Sequence, residues 1–445
     1  MTTTPRYSPL RDGLLLTTLH GRYRDTLPGF YKHVFTETYG NEDDYVDGWV
    51  GDIISGTHPT VTDNDVFIVI DPASEGRIVS ATMLIPQLWQ YAGLALPFGQ
   101  VELVATHKDY RGRRLVRSAI DAAHARSQTL GHLATGIIGI PHFYRRFGYS
   151  MSVKMGTDSA LTLDSLAPPE KNAPRYTLRP ATEDDIPHLM DWYNGNQANY
   201  LLSVARDAAY WAYLLRPDRN PEARRHCLIV CDGETPVGYI ILRNMVNETG
   251  ALTCQEYVIG PQSSYLATYK DIWQGIKAFV GNLGRFTPPE RPVKRIVFDN
   301  ALHPSLRYLL SQTPGGYTRP DTYAWYMRVP DFEAFLGYIR PVLEARLANS
   351  AARHYTGQIK INFYNQTGLT IGFEGGQLRS VKAAALPFDS ENAAFPWDMF
   401  VNLIFGSHSY ADLHALLPDV WAAAEIAIVL DILFPKQPVW IIQVD

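Results

Sequence analysis

Cysteine is scarce in this sequence, with three in 445 residues. Cys227 and Cys231 stand four apart in an expected strand, roughly 13 Å by strand rise, which is too far for a disulfide. Nothing in the chain demands an oxidising compartment. An excess of one charge is also lacking. The 40 basic and 45 acidic residues leave a net charge of −5, without the broad basic surface that duplex binding needs. No apolar run is long enough for a bilayer, because the most apolar late stretch, Ala422 to Phe434, is broken by Glu425 and Asp431. The opening residues MTTTPRYSPLRDG lack the apolar core of a secretion signal. A cytoplasmic protein without nucleic-acid or membrane partners is the expectation. Gly-x-Ser-x-Gly, phosphate-loop lysine and His-Glu-x-x-His patterns are missing. Histidines and cysteines show no metal-ligand spacing, so no metal is expected.

What is present is an ordinary globular composition, 46% hydrophobic and 19% charged, in a chain long enough for two or three domains. The most informative stretch runs from Val101 to Tyr149. Val101, Leu103 and Val104 read as an apolar strand that stops at His107-Lys108-Asp109. A helix is predicted to open near Gly112, carrying Leu115, Ala119, Ile120 and Ala123 on one face, with Gly131 as its C-terminal cap. Ala134 to Ile140 form the next strand, and Pro141 suits the first turn of a closing helix. Arg111, Arg113, Arg114 and Arg117 crowd the helix start, where the macrodipole already favours negative charge. Free backbone N–H groups beside arginines make a phosphate cradle.

These residues resemble the GCN5-related N-acetyltransferases, whose second strand–helix motif reads approximately Arg/Gln-x-x-Gly-x-Gly/Ala. The matching run is Arg111-Gly112-Arg113-Arg114-Leu115-Val116, with Arg114 and Val116 at the two usually small positions. Phe143-Tyr144-Arg145-Arg146-Phe147-Gly148-Tyr149 is similar to the aromatic ending of the same fold, about 30 residues downstream. The resemblance implies that Arg111, Gly112, Arg113, Arg114, Leu115, Val116 and Arg117 hold the pyrophosphate of acetyl-CoA. It implies that Val104, Ala105 and Thr106 contact the acetyl carbonyl and pantetheine arm, flanked by Gly139 and Ile140. Tyr144 matches the general acid for the departing thiolate. Phe143 and Phe147, four apart, would share the buried face and turn Tyr144 toward another surface.

Along the rest of the chain, Leu27-Pro28-Gly29 reads as a turn, followed by the aromatic run Phe30 to Tyr39 and the acidic Glu42 to Asp47. In the resembling family this region borders the acceptor site, and the acidic segment would suit a polycationic acceptor. Val66 to Ile70 and Ile78 to Ile85 form a hairpin around Asp71-Pro72 and Gly76. Ser165 to Arg175, with three prolines, is the clearest linker. From Tyr176 onward the plan repeats: a helix capped by Thr182, a hairpin from Cys227 to Leu242, a strand at Gln255 to Ile259, and a turn, Gly260 to Ser264, without arginines. From about Asp331 a meander follows, in which Ile359, Ile361 and Phe363 alternate with polar residues and turns lie at Asn365 to Gly368 and Glu374-Gly375-Gly376. Two amphipathic segments, Trp397 to Phe405 and Ala422 to Phe434, would cover that sheet.

This order of parts resembles the multidomain acetyltransferases of the enhanced-intracellular-survival type. The expected fold class is therefore mixed α+β. Residues 1–168 would be a catalytic acetyltransferase domain, 176–330 a degenerate second copy with a structural role, and 331–445 a sterol-carrier-like domain. The expected function is acetyl-CoA-dependent N-acetyl transfer to a primary amine, on a small molecule such as an aminoglycoside or on an exposed lysine, with self-association left open. A lysine-like amine with reference pKa about 10.4 is unprotonated at pH 7 in about one molecule per few thousand, so a base is needed. Enzymes of the resembling type use the chain's terminal carboxylate, which here belongs to Asp445 after the apolar run Val439 to Ile442. Glu102 is the rival base, with even odds of facing solvent; His107 and His142 are not nominated. The competing reading is a ligand- or lipid-binding protein that uses these folds as scaffold.

Overall fold

The computed structural model describes residues 7–442, except 40–44, 156, 167, 169–172, 222, 248, 284–291, 299–302, 321–322 and 386–390. Twelve helices can be followed in order: α1 (Tyr23–Tyr39), α2 (Tyr45–Ile53), α3 (Leu115–Thr129), α4 (Ile186–Gln197), α5 (Ala208–Leu215), α6 (Tyr265–Leu283), α7 (Pro304–Ser311), α8 (Phe332–Tyr338), α9 (Arg340–Ala348), α10 (Trp397–Ile404), α11 (Tyr410–Leu416) and α12 (Ala424–Leu433). They pack on three sheets of mixed or antiparallel character, so the fold is α+β.

The first sheet carries, side by side, Leu15–Thr18, Val66–Asp71, Arg77–Tyr91, Leu94–Thr106, Ala134–Ile137, Ala324–Arg328 and Ser150–Lys154. The second carries Tyr176–Pro180, Arg225–Asp232, Thr235–Val246, Ala251–Ile259, Arg295–Phe298, Thr157–Thr162 and Gly316–Pro320. The two orders match strand for strand. In each the first four strands are antiparallel and the fourth runs parallel to the fifth. In each the sixth strand comes from the other half of the chain. Ala324–Arg328 inserts between Ala134–Ile137 and Ser150–Lys154, and Thr157–Thr162 inserts between Arg295–Phe298 and Gly316–Pro320. Two strands thus cross the linear division at 168–176, and each sheet is completed by a strand exchanged with the other.

The pattern of buried residues explains the local elements. α3 buries Leu115, Ala119, Ile120, Ala123 and Ser127, a stripe at helical spacing. α1 buries Leu27, Phe30, Tyr31 and Val34, and this overrides the turn expected at Leu27-Pro28-Gly29, which lies inside the helix. Pro28 removes one N–H near the helix start, and the buried stripe offsets that loss. Leu15–Thr18 is a strand of the first sheet. Thr182 and Asp185 form a reciprocal capping box ahead of α4.

The third sheet is the expected meander, Gly357–Asn362, Thr367–Glu374 and Gln377–Ala385, extended by two short strands. α10 and α12 contribute Phe400, Val401, Leu403, Ile404, Leu430 and Leu433 to its core. That core is continuous with the first sheet through Trp89, Phe98, Trp211 and Trp325. The three cysteines are buried and free. Among the described residues, no helix is long and apolar enough to cross a membrane.

Candidate active site

The parallel pairing of Leu94–Thr106 with Ala134–Ile137 ends at Gln100 and Gly136. Beyond that point no backbone pairing among the described residues joins the two strands, so the ladder breaks between residues 101–106 and 137–140. A bulge accompanies the break. Leu103 has φ +53, and the register against Arg77–Tyr91 slips between Ala81 and Met83. Two buried hydroxyls brace the distorted strand: Thr82 Oγ1 donates to the carbonyl of Glu102 at 3.0 Å and Ser80 Oγ to that of Ala105 at 2.9 Å. Val104 is half-buried, and Ala105 and Thr106 are buried. The second strand ends at Ile137, short of the expected Ile140, and Ile140 is 50% exposed.

The basic turn follows directly. Gly112 (φ +80) and Arg114 (φ +62) both take left-handed conformations, folding the backbone sharply into α3. Glycine meets this at no steric cost, whereas Arg114 spends backbone strain at the N-cap. Arg111, Arg113, Arg114 and Arg117 are all exposed around that helix start. Arg111 Nη2 donates to Thr38 Oγ1 of α1 at 3.0 Å, which ties the turn to the helix opposite. Arg117 donates to the carbonyl of Arg146 at 3.3 Å and lies over the ring of Phe147. Leu115 is buried beneath the turn and Val116 half-buried beside it. The first N–H groups of α3 therefore open into a ring of guanidinium groups, a geometry suited to a polyanion.

The closing helix is a short 3-10 segment, Phe143–Phe147, entered through His142 at φ +67. Tyr144 does not turn away from the buried face as its spacing implied; it is 6% exposed. The tighter turn of a 3-10 helix brings its ring against Phe143, Phe147, Tyr149 and Tyr326. It packs directly on Gly139, where an added Cβ would overlap the tyrosine ring. Gly139 and Ile140 are further held by residues from the exchanged strand and its approach. Tyr323 donates its hydroxyl to the carbonyl of Gly139, and the N–H of His142 donates to Tyr326 Oη. Neither tyrosine has a local sequence signal, since both arrive from the far half of the chain.

On the other face of the sheet a buried polar chain leads to the bulge. Trp89 Nε1 donates to Gln87 Oε1 (2.6 Å), Gln87 Nε2 to Gln100 Oε1 (2.7 Å) and Gln100 Nε2 to Glu102 Oε1 (2.9 Å). Glu102 is 7% exposed, so of its two expected orientations the inward one holds. Tyr31 of α1 stands near it. Burial, and then the charge of Glu102, raise the Tyr31 hydroxyl well above its ordinary value. That hydroxyl has no hydrogen-bond partner among the described residues. Gln87 and Gln100 carry no signal in the sequence, because an isolated glutamine in a strand is uninformative until its neighbours are known.

At the outer end, burial and then Arg77 hold His107 below the ordinary imidazole value. Its ring stacks on His33 of α1 with centroids 5.3 Å apart. Residues 40–44, including most of the acidic segment Glu42 to Asp47, lie outside the described residues, as does Asp445. The tail is described to Ile442. The N–H of Leu201 donates to the carbonyl of Pro438 and that of Trp440 to Leu202, both at 2.8 Å. Leu202–Val204 in turn pairs with Tyr91–Trp89 of the first sheet. Ile442 shares an enclosed cavity with Arg206, Tyr210, Arg219, Arg225 and Glu256.

Comparison with known proteins agrees with this architecture. Residues 25–152 match the acetyltransferase (GNAT) domain family. Over nearly the whole chain the structure is similar to a GCN5-related N-acetyltransferase from Anabaena variabilis, with TM-score 0.64 and 14% identity, covering 96% of this chain and 99% of that one. It is similar to a probable N-acyltransferase from Enterococcus faecalis, with TM-score 0.66, 14% identity and coverage of 97% and 99%. Eis1 from Mycobacterium abscessus aligns with TM-score 0.57 and 14% identity over 96% of this chain and 98% of its own. At that identity the likeness shows the fold alone. No curated protein sequence matches significantly.

Proposed function

We propose that the chain is an acetyl-CoA-dependent N-acetyltransferase acting on a primary amine, carried by a small molecule or an exposed lysine. The observation that carries this reading is the break in the ladder between the two parallel strands, followed by the start of α3 with four exposed arginines. A pantetheine arm carries amides that can pair with unpaired strand backbone, and its pyrophosphate is a polyanion suited to the basic turn. In this reading Arg111, Gly112, Arg113, Arg114, Leu115, Val116 and Arg117 hold the pyrophosphate. Val104, Ala105 and Thr106 face the acetyl end, with Gly139 and Ile140 across the arm.

The amine nitrogen attacks the thioester carbonyl carbon, the oxyanion collapses, and the carbon–sulfur bond breaks. Tyr144 supplies the proton to the departing thiolate, and the ammonium formed on attack gives one up to a base. Asp445 holds that role by resemblance. Its support is that the preceding tail is packed rather than frayed, held at Leu201 and Leu202 and beside Arg206 and Glu256 of the second half as far as Ile442. Glu102 is the second candidate, favoured by its burial beside the unpartnered hydroxyl of Tyr31. Aminoglycosides are the small-molecule class that the resemblance names. The second sheet is read as a degenerate copy, supported by its identical strand order and by the turn Gly260 to Ser264 without arginines. The last unit is read as sterol-carrier-like, supported by its covered five-stranded sheet.

Calorimetric titration with acetyl-CoA, followed by thiol release in the presence of an amine panel, tests the reading. Micromolar binding that collapses in the Arg111→Ala/Arg114→Ala double variant is expected. A folded protein that gives neither heat nor thermal shift would overturn it. Removal of residues 443–445, set against Glu102→Gln, distinguishes the two bases: the true one lowers turnover while acetyl-CoA binding persists.

A further inference from the structure

α1 presents His33 and Glu37 one turn apart on the same face, with Nε2 and Oε1 3.6 Å from each other. His107, from the turn after the strand Leu94–Thr106, lies against them. Ligand atoms of the three side chains all fall within 4.8 Å of one another. Asp109 lies outside this group, beside His107 Nδ1, which accepts from its backbone N–H at 3.4 Å. The chemistry is two imidazoles and one carboxylate, drawn from a helix and a turn that are separate in sequence.

We propose that His33, Glu37 and His107 form a three-ligand Zn2+ site, with water in the fourth position, that fastens the C-terminal part of α1 to the turn preceding α3. Two nitrogen ligands with carboxylate oxygens select Zn2+ over Mg2+ or Ca2+, which take oxygen shells. Tetrahedral Zn2+ at about 2.0–2.1 Å from each ligand spaces them about 3.4 Å apart. The three ligand atoms lie within 4.8 Å of one another, near that spacing, and His107, with 4% of its side chain exposed, is fixed by packing. The last turn of a helix also favours a cation through its free carbonyls. An approach path exists, because His33 borders a cleft of about 470 Å³ between α1 and the turn at Ser74 to Ile78.

Three cations stand near the site. Lys108 Nζ is paired with Glu37 Oε1 at 2.6 Å and competes for it. Its side chain is 58% exposed on a flexible stem, and an exposed pair of that kind contributes little, so it swings out as the metal enters. Arg111 is directed at Thr38 and the carbonyl of Thr106, and Arg77 lines the cleft. Glu37 in the site and Asp109 beside His107 offset part of the charge of these arginines. The site is invisible in the linear sequence because its ligands come from two distant segments.

Tag-free full-length protein stripped with chelator is titrated calorimetrically with Zn2+, and in parallel with Co2+ read by visible absorption. One equivalent of Zn2+ is expected to bind, and Co2+ to give the intense bands of a tetrahedral site. His33→Ala and Glu37→Gln change exposed side chains that the fold does not need. Each should weaken Zn2+ at least tenfold and abolish the Co2+ bands, while Lys108→Ala, which removes the competitor, tightens binding severalfold. Absence of stoichiometric binding in the unmodified protein would overturn the site. So would binding that His33→Ala and Glu37→Gln leave unchanged.

Discussion

The ring of Tyr144 rests on the α-carbon of Gly139 so closely that no side chain fits between them. The residue proposed as proton donor is therefore positioned by an absence on the neighbouring strand. Gly139→Ala should push the ring out of place, at the about 1–3 kcal/mol typical of overpacking. Tyr144→Phe keeps the ring and removes only the hydroxyl. Turnover should fall about 10²–10⁴-fold in Tyr144→Phe, the range of general acid catalysis, with little change in acetyl-CoA affinity or melting temperature. Equal turnover in Tyr144→Phe and the unmodified enzyme would assign the proton transfer elsewhere.

Acetyl-CoA affinity should depend on the arginines unequally. The Arg114 side chain makes no hydrogen bond among the described residues, while Arg111 also braces α1 through Thr38. A charge-assisted bond to phosphate contributes about 1.5–3 kcal/mol, so Arg114→Ala should weaken acetyl-CoA roughly ten- to hundredfold at constant melting temperature. Arg111→Ala should lower both. Titration calorimetry and thermal unfolding on the two single variants separate these effects.

The end of α2 is latched to the second half of the chain. Asp52 Oδ2 accepts from Arg219 Nη2 and from the Tyr213 hydroxyl, both at 2.7 Å, with the Arg219 side chain 1% exposed. Removing one member leaves a buried charge uncompensated, at about 3–5 kcal/mol. Asp52→Ala should lower the urea midpoint accordingly. The double change Asp52→Ala/Arg219→Met should recover part of the loss. A single variant as stable as the parent would mean that water reaches the pair.

Stability should decline on mild acidification. Burial, with a smaller contribution from Arg328, holds His124 down to about 3, and burial holds His132 down to about 4. Both are neutral in the fold, whereas the unfolded chain takes up protons near pH 6.5. The unfolded state thus binds more protons below that pH, and stability present above pH 6.5 drains as pH falls toward 4. The slope is at most about 1.4 kcal/mol per pH unit for each group, and less for His132, which solvent partly screens. Urea midpoints at pH 7, 6 and 5 should fall in sequence, and His124→Gln should flatten the trend. Midpoints that stay level over this range would show that both rings protonate within the fold.

The parts of the site legible in the sequence are those built from adjacent residues. Strand, basic turn and helix from Val101 to Thr129 follow from alternation, from Gly112 and from a helical apolar stripe, all short-range signals. The meander after Gly357 was readable for the same reason. Pro28 was misleading, because a local turn signal near a helix start yields to a buried stripe of four large side chains. Tyr144 was misplaced because α-helical spacing was applied to a segment that closes as a 3-10 turn.

The α+β class followed from the family resemblance that two short motifs and the order of parts carry, while periodicity and the basic turn by themselves determined a strand–turn–helix suited to a polyanion. Those features depend on residues a few positions apart, where backbone geometry leaves few choices. Only the tertiary structure decided that Ala324–Arg328 completes the first sheet and Thr157–Thr162 the second. It alone set Tyr323 and Tyr326 against Gly139 and His142, aligned Gln87, Gln100 and Glu102 in one buried chain, and brought His33 to His107. Each of these pairs long-separated segments whose partners are chosen by burial and hydrogen-bond satisfaction across the whole fold, and no local pattern encodes that choice.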